Sequence, residues 1–351
     1  MRLAYVLPLD RRPEPPSEQL ERFPHNQRML GTLVARHGVG AHAVWSSTHR
    51  ATIAQDGVTH HFTPQLVRTV RQLAPDVVHV NGLVFPRLVM ALRLALLGGS
   101  RRKSGRLVLQ HHGEVPGSAR SLWAQRLARR LVDGYLFCGL PGQAEPWRRA
   151  RVLAPHTPLF EVLEASSDLP FNAPAASADG PNVLWIGRLL PGKDPLTAVE
   201  AFDRFAATNP RARLWMVGTG SGPLRDAVAG RLGARACLVG PFTQAVLAGW
   251  YERADVIFST SWHEGSGYAL IEAIGCGCTP AVTDLPSHRV IAGSDGAYFR
   301  PGDAAAAAQA LDRAAQRASE PGVRAAHRRR FERELSWEQV CNQLMAAYRG
   351  G

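Results

Sequence analysis

Residues Glu164–Pro181 read EASSDLPFNAPAASADGP. The stretch is rich in Ala, Ser, Pro, Asp and Gly. It carries neither a helical period nor strand alternation, and it reads as an interdomain linker. The same pattern runs on both sides of it. Upstream, Leu3–Leu7, Ala41–Trp45, Val77–Val80, Leu107–Gln110 and Gly134–Cys138 read as short buried strands. Amphipathic segments lie between them at Asn26–His37, Pro64–Leu73, Pro86–Leu97 and Ala119–Val132. Downstream, Val183–Ile186, Arg213–Val217, Ala236–Val239, Val256–Ser259 and Thr279–Val282 read as strands. Thr197–Thr208, Leu224–Leu232, Gln244–Arg253, Ala269–Ile274 and Ala304–Ala318 read as helices. Strand–helix alternation means βαβ units, a parallel sheet and right-handed crossovers. The expected class is α/β, with two doubly wound domains at 1–163 and 182–335 joined by a linker at 164–181. Residues 336–351 form a last amphipathic helix, with Ser336 as its N-cap. Ligand is expected outside the carboxyl ends of the strands.

The totals agree with a folded chain. Its 351 residues are 45% hydrophobic and 20% charged, enough for two cores and unlike a disordered composition. No apolar run reaches the ~20 residues that span a bilayer. Leu88–Leu97 is too short and carries Arg93. The amino-terminal MRLAYVLPLD reads as a first strand and not as a secretory signal, so a cytoplasmic location is expected. Five cysteines at irregular spacing give no disulfide framework, and all are read as buried small hydrophobes. The net charge is +12. Up to Phe160 there are 22 basic against 9 acidic residues, and from Glu161 onward 19 against 20. The first half therefore faces an anionic partner, or carries a solvated arginine surface. All basic residues are arginine except Lys103 and Lys193.

Four motifs carry chemistry. Trp185–Asp194 reads WIGRLLPGKD. Gly187 lets the chain turn at a strand end. Arg188 and Lys193 then place two cations beside a helix N-terminus, a pairing suited to a diphosphate. Val217–Pro223, VGTGSGP, offers backbone N–H groups around Gly218. His263–Glu272 reads HEGSGYALIE. Glu264 falls in a loop with Gly265, Ser266 and Gly267, where backbone can approach a ligand, and a helix begins near Ser266. Glu272 lies inside that helix among apolar residues and needs hydrogen-bond donors, for which ribose hydroxyls serve well. Eight helical residues would separate the two carboxylates by ~12 Å, too far for either glycosidase geometry. In the first half, LQHHGEVP puts His111 and His112 at a strand's carboxyl end.

As an ordered set, these residues resemble glycosyltransferase family 4, retaining enzymes of the GT-B fold with two Rossmann-like domains. The resemblance lies in Gly187–Lys193, VGTGSGP, the E-x₇-E run STSWHEGSGYALIEAIGCGCTPAVTDLP and the closing SWEQVCNQLMAAY. It implies that Arg188 and Lys193 hold the diphosphate of a nucleotide-sugar donor. Glu264 then contacts the transferred sugar, Glu272 the ribose, and His112 the sugar from the acceptor domain. His112 is preferred to His111 because it directly precedes Gly113. The base is read by backbone at Gly240–Thr243, with Phe242 and Thr243 beside it. The first half departs from the family pattern. PLDRRPEPPSEQ follows the first strand without a glycine pair, which leaves Arg11 or Arg12 to replace backbone donors.

The expected activity is retaining transfer of a hexose from a UDP-, GDP- or ADP-sugar to a hydroxyl. The acceptor is lipid-linked, a polysaccharide or a small-molecule glycan. No metal or other cofactor is expected, since two cations already face the diphosphate. An epimerase on the same fold and a basic membrane- or nucleic-acid-binding module are the alternatives. Nucleic acid is disfavoured, because no recognised binding motif accompanies the charge. The segments Arg101–Lys103 and Arg120–Arg130 point instead to a peripheral contact with an anionic membrane.

Overall fold

The protein was obtained as a computed structural model, which describes residues 1–97, 105–117, 119–172, 180–240 and 244–350. It divides into two compact units, Met1–Ala165 with Trp337–Gly351, and Ser166–Ser336.

Among the described residues the first unit is built on eight strands: β1 (Arg2–Arg12), β2 (Gly40–Ser47), β3 (Ala51–Gln55), β4 (Val58–Thr63), β5 (Val77–Asn81), β6 (Arg106–Gln110), β7 (Gly134–Phe137) and β8 (Leu159–Glu161). Their order in the sheet is β3-β4-β2-β1-β5-β6-β7-β8. Every pairing is parallel except β3 with β4. The central strands are valine- and leucine-rich because helices cover both faces. Val6, Val78, Val80, Leu107 and Leu109 are all buried. β3 and β4 form a hairpin that the alternation argument passes over. Asp56 and Gly57 both have positive φ, 51° and 76°, as a two-residue hairpin turn requires.

The last helix, Trp337–Arg349, belongs to this unit. Its Tyr348 hydroxyl shares a 2.7 Å hydrogen bond with His79 Nδ1, and Gln343 Oε1 accepts from the Leu163 amide at 3.0 Å. The stretch read as a linker begins inside the same unit, where Glu164 and Ala165 are buried.

Among the described residues the second unit has six strands: β9 (Asn182–Arg188), β10 (Arg213–Thr219), β11 (Ala236–Val239), β12 (Val256–Ser259), β13 (Thr279–Thr283) and β14 (Ala297–Phe299). All pairings are parallel and the order is β11-β10-β9-β12-β13-β14. This is the doubly wound order, with the chain reversing direction across the sheet between β9 and β12. Helices Pro195–Thr208 and Ala304–Ala318 pack on one face. They bury Phe202 and Phe205 against Val183, Trp185 and Leu214. Each such phenylalanine contributes about 1.5–3 kcal/mol of transfer free energy.

Four cysteines are buried, but Cys237 is exposed on edge strand β11, so the reading of all five as core residues fails there. A strand at the sheet edge has no neighbouring strand on one side, which leaves more of it open to solvent. The segment read as one helix from Ala119 to Val132 is α-helical only to Ala128 and tightens into a 3₁₀ turn at Arg129–Leu131. Among the described residues no helix is long and apolar enough to cross a membrane.

Candidate active site

The switch point of the second sheet lies where β9 and β12 end side by side, and both loops there carry candidate residues. Gly187 and Arg188 are the last two residues of β9, and Arg188 is exposed. A 3₁₀ turn at Pro191–Lys193 then delivers Lys193 ahead of helix Pro195–Thr208. Asp194, at φ 48°, caps that helix by accepting from the Thr197 amide at 3.3 Å. After β12, the loop Thr260–Gly267 holds Glu264.

The two loops are stitched together. Thr260 Oγ1 lies 2.9 Å from both the Lys193 and Asp194 carbonyls and also accepts from Trp185 Nε1 at 3.2 Å. The Trp262 amide donates to Gly192 O at 2.9 Å, and its indole N–H donates to Asp194 Oδ2 at 3.0 Å. Between these supports, Lys193 Nζ forms an ion pair with Glu264 Oε2. The side chains are 24% and 18% exposed, so the pair is partly desolvated while remaining reachable. Ser261 Oγ adds a 3.3 Å hydrogen bond to the same carboxylate oxygen, and Ser287 Oγ donates to Glu264 O at 3.0 Å. Burial, ahead of all other influences, lowers the pKa of neighbouring His288. That imidazole donates from Nδ1 to Thr283 O at 2.8 Å.

The helix carrying Glu272 runs Tyr268–Gly275, starting later than expected because Gly267 (φ 61°) is its N-cap. That φ is strained for a residue with a side chain, and a Cβ at 267 would stand 2.4 Å from Ile291 Cδ1, so the turn favours glycine. Glu272 is buried, and Tyr251 donates its hydroxyl to Oε2 at 2.7 Å. The donor that the buried carboxylate demanded is therefore first of all a tyrosine of the neighbouring helix Gln244–Arg253. A carboxylate accepts about four hydrogen bonds, so this contact does not saturate it. Burial, then the adjacent Glu272 charge, pushes the Tyr251 hydroxyl well above its ordinary pKa and keeps it a donor.

Gly218 lies within β10, and Gly240 (φ 93°) directly follows β11. Gly265, Ser266 and Gly267 lie in the loop after Glu264. Phe242 and Thr243 lie outside the described residues, as do Arg101–Lys103. Cys276 and Cys278 are packed thiols, and burial raises both, Cys276 to about 12. Among the described residues no group of three His, Cys, Asp or Glu is arranged to hold a metal ion.

In the first unit, His111 and His112 follow β6. His111 is packed. Its Nε2 donates to Glu114 O at 2.9 Å, and its ring lies 5.3 Å from Phe137. His112 is half-buried: its amide donates to Glu114 Oε2 at 2.6 Å, and its Nδ1 lies 2.7 Å from Glu164 Oε2. Burial would lower its pKa, but Glu164 and then Glu114 outweigh that and the net shift is upward. Around it, burial depresses His25 to about 4 and His79 to about 3. Burial likewise holds His60, in β4, at about 4.

Those three depressed values set a pH dependence. The unfolded chain binds protons near pH 6.5 where the folded unit does not, so stability rises with pH between about 4 and 6.5. Full stability is expected above that window, with progressive loss as pH falls through it. Thermal unfolding at pH 7 and pH 5 checks this. A higher melting temperature at pH 5 would contradict it.

Two doubly wound units are the architecture of the GT-B fold, and comparison with solved structures agrees. Residues 180–317 match the family model for glycosyl transferases group 1. The chain is similar to the GDP-mannose:cellobiosyl-diphosphopolyprenol alpha-mannosyltransferase of Xanthomonas campestris. They are 25% identical, over 80% of this chain and 70% of that protein. It is also similar to the D-inositol 3-phosphate glycosyltransferase of Geodermatophilus obscurus, at 31% identity over 63% of this chain and half of that one. Among solved structures, sucrose-phosphate synthase from Thermosynechococcus elongatus superposes with a TM-score of 0.72 at 19% identity. That match covers 99% of this chain and 98% of the other. The chain is a glycosyltransferase, and its second unit carries the group 1 domain.

Proposed function

We propose that the protein transfers a hexose from a nucleotide-diphosphate sugar to an acceptor hydroxyl with retention of anomeric configuration, without a metal. One observation carries the reading: the Lys193–Glu264 pair at the switch point of the second sheet. A sugar nucleotide presents phosphate oxygens and carbohydrate hydroxyls on either side of the bond to be broken. A cation and a carboxylate in direct contact match that adjacency.

In this reading, Lys193 and Arg188 bind the diphosphate and stabilise the charge that develops as it departs. The dominant contribution is electrostatic. Glu264 accepts hydrogen bonds from the sugar and orients it, and Glu272 accepts from the ribose. Backbone near Gly218 and Gly240 contacts the nucleoside. His112 serves the acceptor, with His111 as its packed neighbour. A departing phosphate oxygen takes the acceptor's proton, and no covalent sugar–enzyme intermediate is needed. The test is incubation with UDP-, GDP- and ADP-sugars, with and without a lipid-linked or free glycan acceptor. Acceptor-dependent release of nucleoside diphosphate supports transfer. Isomerised donor in the absence of acceptor would indicate an epimerase instead.

A lipid-linked acceptor on a membrane surface is the favoured acceptor class, and exposed side chains support it. Helices Pro86–Leu97 and Ala119–Ala128 pack together. Leu122 and Leu131 turn inward as an ordinary core contact would require, but Trp123 and Leu127 do not. Leu94, Leu97, Trp123 and Leu127 are 70%, 63%, 69% and 53% exposed. Arg126 and Arg129 lie on or directly after the second helix. Apolar side chains flanked by arginines suit an anionic bilayer. The protein is expected to float with anionic vesicles at low salt, and Trp123→Glu with Leu127→Glu is expected to abolish flotation. Recovery of the unaltered protein in the bottom fraction would refute the membrane contact.

A further inference from the structure

A cavity of about 420 Å³ opens in the first unit at the amino ends of β7 and β8. Strands β6, β7 and β8 run parallel, so it lies at the other end of these strands from His111 and His112, which follow β6. It is bordered by the 3₁₀ turn Arg129–Leu131, helix Glu145–Arg149 and the segment 150–158 that leads into β8. Arg129, Arg148 and Arg151 line it together with Leu153, Thr157 and Leu159, and no carboxylate among the described residues does. Among those residues none of the three guanidiniums has an ion-pair partner. The carboxylates nearby in the chain are engaged by other arginines: Glu145 pairs with Arg149, and Asp133 with Arg93. Arg129 is held in place, because its Nη1 donates to Arg151 O at 2.7 Å. That bond uses one of five N–H donors. Arg126 Nε ties the same segment down at Ala150 O, at 2.8 Å. Arg151 itself has φ 57°, a left-handed conformation that glycine adopts with less strain, yet the position carries a cation.

We infer that this cavity binds a phosphate group, carried either by a free phosphate or pyrophosphate anion or by a lipid headgroup. Guanidinium forks match phosphate oxygens in pairs, and three like charges around one cavity repel each other until an anion enters. The volume falls within the about 300–1,000 Å³ of small-molecule sites. Leu153 and Leu159 give the cavity an apolar side, so it accommodates a phosphate ester as well as the free ion. A headgroup source is close at hand, since Arg129 directly follows the helix that carries Trp123 and Leu127. The inference stands on the cavity alone and requires neither the transfer reaction nor the bilayer contact.

The test pairs a cavity variant, Arg148→Ala with Arg151→Gly, with a control that removes the same charge outside the cavity, Arg130→Ala with Arg149→Ala. Arg148 and Arg151 are exposed and glycine suits φ 57°, so the cavity variant should fold, and its melting temperature without ligand verifies this. Pyrophosphate is titrated into both by calorimetry, in a Lys193→Ala background that weakens competition from the donor rim. Affinity should fall about tenfold or more in the cavity variant, the loss expected when charged hydrogen bonds go, and be kept in the control. Flotation with vesicles of phosphatidic acid in phosphatidylcholine, against phosphatidylcholine alone, distinguishes the two sources. Flotation that depends on phosphatidic acid, lost in the cavity variant and kept in the control, assigns a lipid headgroup. Pyrophosphate binding lost in the cavity variant without that difference in flotation assigns the free anion. The same behaviour of cavity variant and control in both assays, including no binding in either, overturns the inference. Donor turnover enters neither assay, so failure of the transfer reading leaves this test intact.

Discussion

Replacing Lys193 with alanine is expected to lower kcat by roughly 10²–10³-fold, the loss typical of one preorganised group facing developing charge. The ammonium acts on the departing diphosphate, so kcat and kcat/KM should fall together while donor KM changes little. Its ion pair with Glu264 adds a second expectation. Removing either partner leaves the other charge partly buried without its counterion. Glu264→Ala should therefore also be severe, and the double variant should cost much less than the product of the single effects. Steady-state kinetics on the three variants checks this. Unchanged donor turnover in Lys193→Ala would remove the lysine from the mechanism.

The second large effect is expected at Glu272. Glu272→Ala should weaken donor binding about ten- to a hundredfold, the loss expected of a charge-assisted hydrogen bond of about 1.5–3 kcal/mol. It should also destabilise the fold, because the Tyr251 hydroxyl would lose its acceptor at a site where burial is complete. An unsatisfied buried donor costs about 1–3 kcal/mol. Tyr251→Phe separates the two roles. It removes the internal hydrogen bond while keeping the carboxylate, so stability should fall while donor affinity is largely kept. Calorimetric titration with donor and thermal unfolding measure the two quantities. If Glu272→Ala binds donor as tightly as the unaltered protein, the glutamate is structural only.

The parallel strands were legible because burial on both faces writes them as unbroken apolar runs. Val77–Val80 and Val256–Ser259 need no further signal. The β3–β4 hairpin announced itself only through Asp56-Gly57, a turn signal overlooked between strands of alternating burial. In the second unit, the loops after β9 and β12 were readable as ligand-facing because Lys193 and Glu264 are chemically conspicuous there. Their mutual contact was not readable, since it depends on β9 and β12 being sheet neighbours despite the strands between them in sequence. The supports of the site escaped for the same reason. Thr260, Trp262 and Ser287 gain meaning only from partners far along the chain. Tyr251 and Glu164 lie in segments whose composition gives no hint of a polar contact. Glu114 was within reach, two residues from His112 in the same motif.

The central claim is that the carboxyl-end rim of the second sheet grips a sugar nucleotide between Lys193 and Glu264. Isothermal titration of UDP-, GDP- and ADP-sugars into the unaltered protein and into Arg188→Ala tests it most directly. One donor is predicted to bind, to raise the melting temperature as expected for about 2.7 kcal/mol at a hundredfold excess over Kd, and to bind measurably more weakly to the arginine variant. Absence of heat and of stabilisation with every nucleotide sugar, or equal affinity in both proteins, would contradict it.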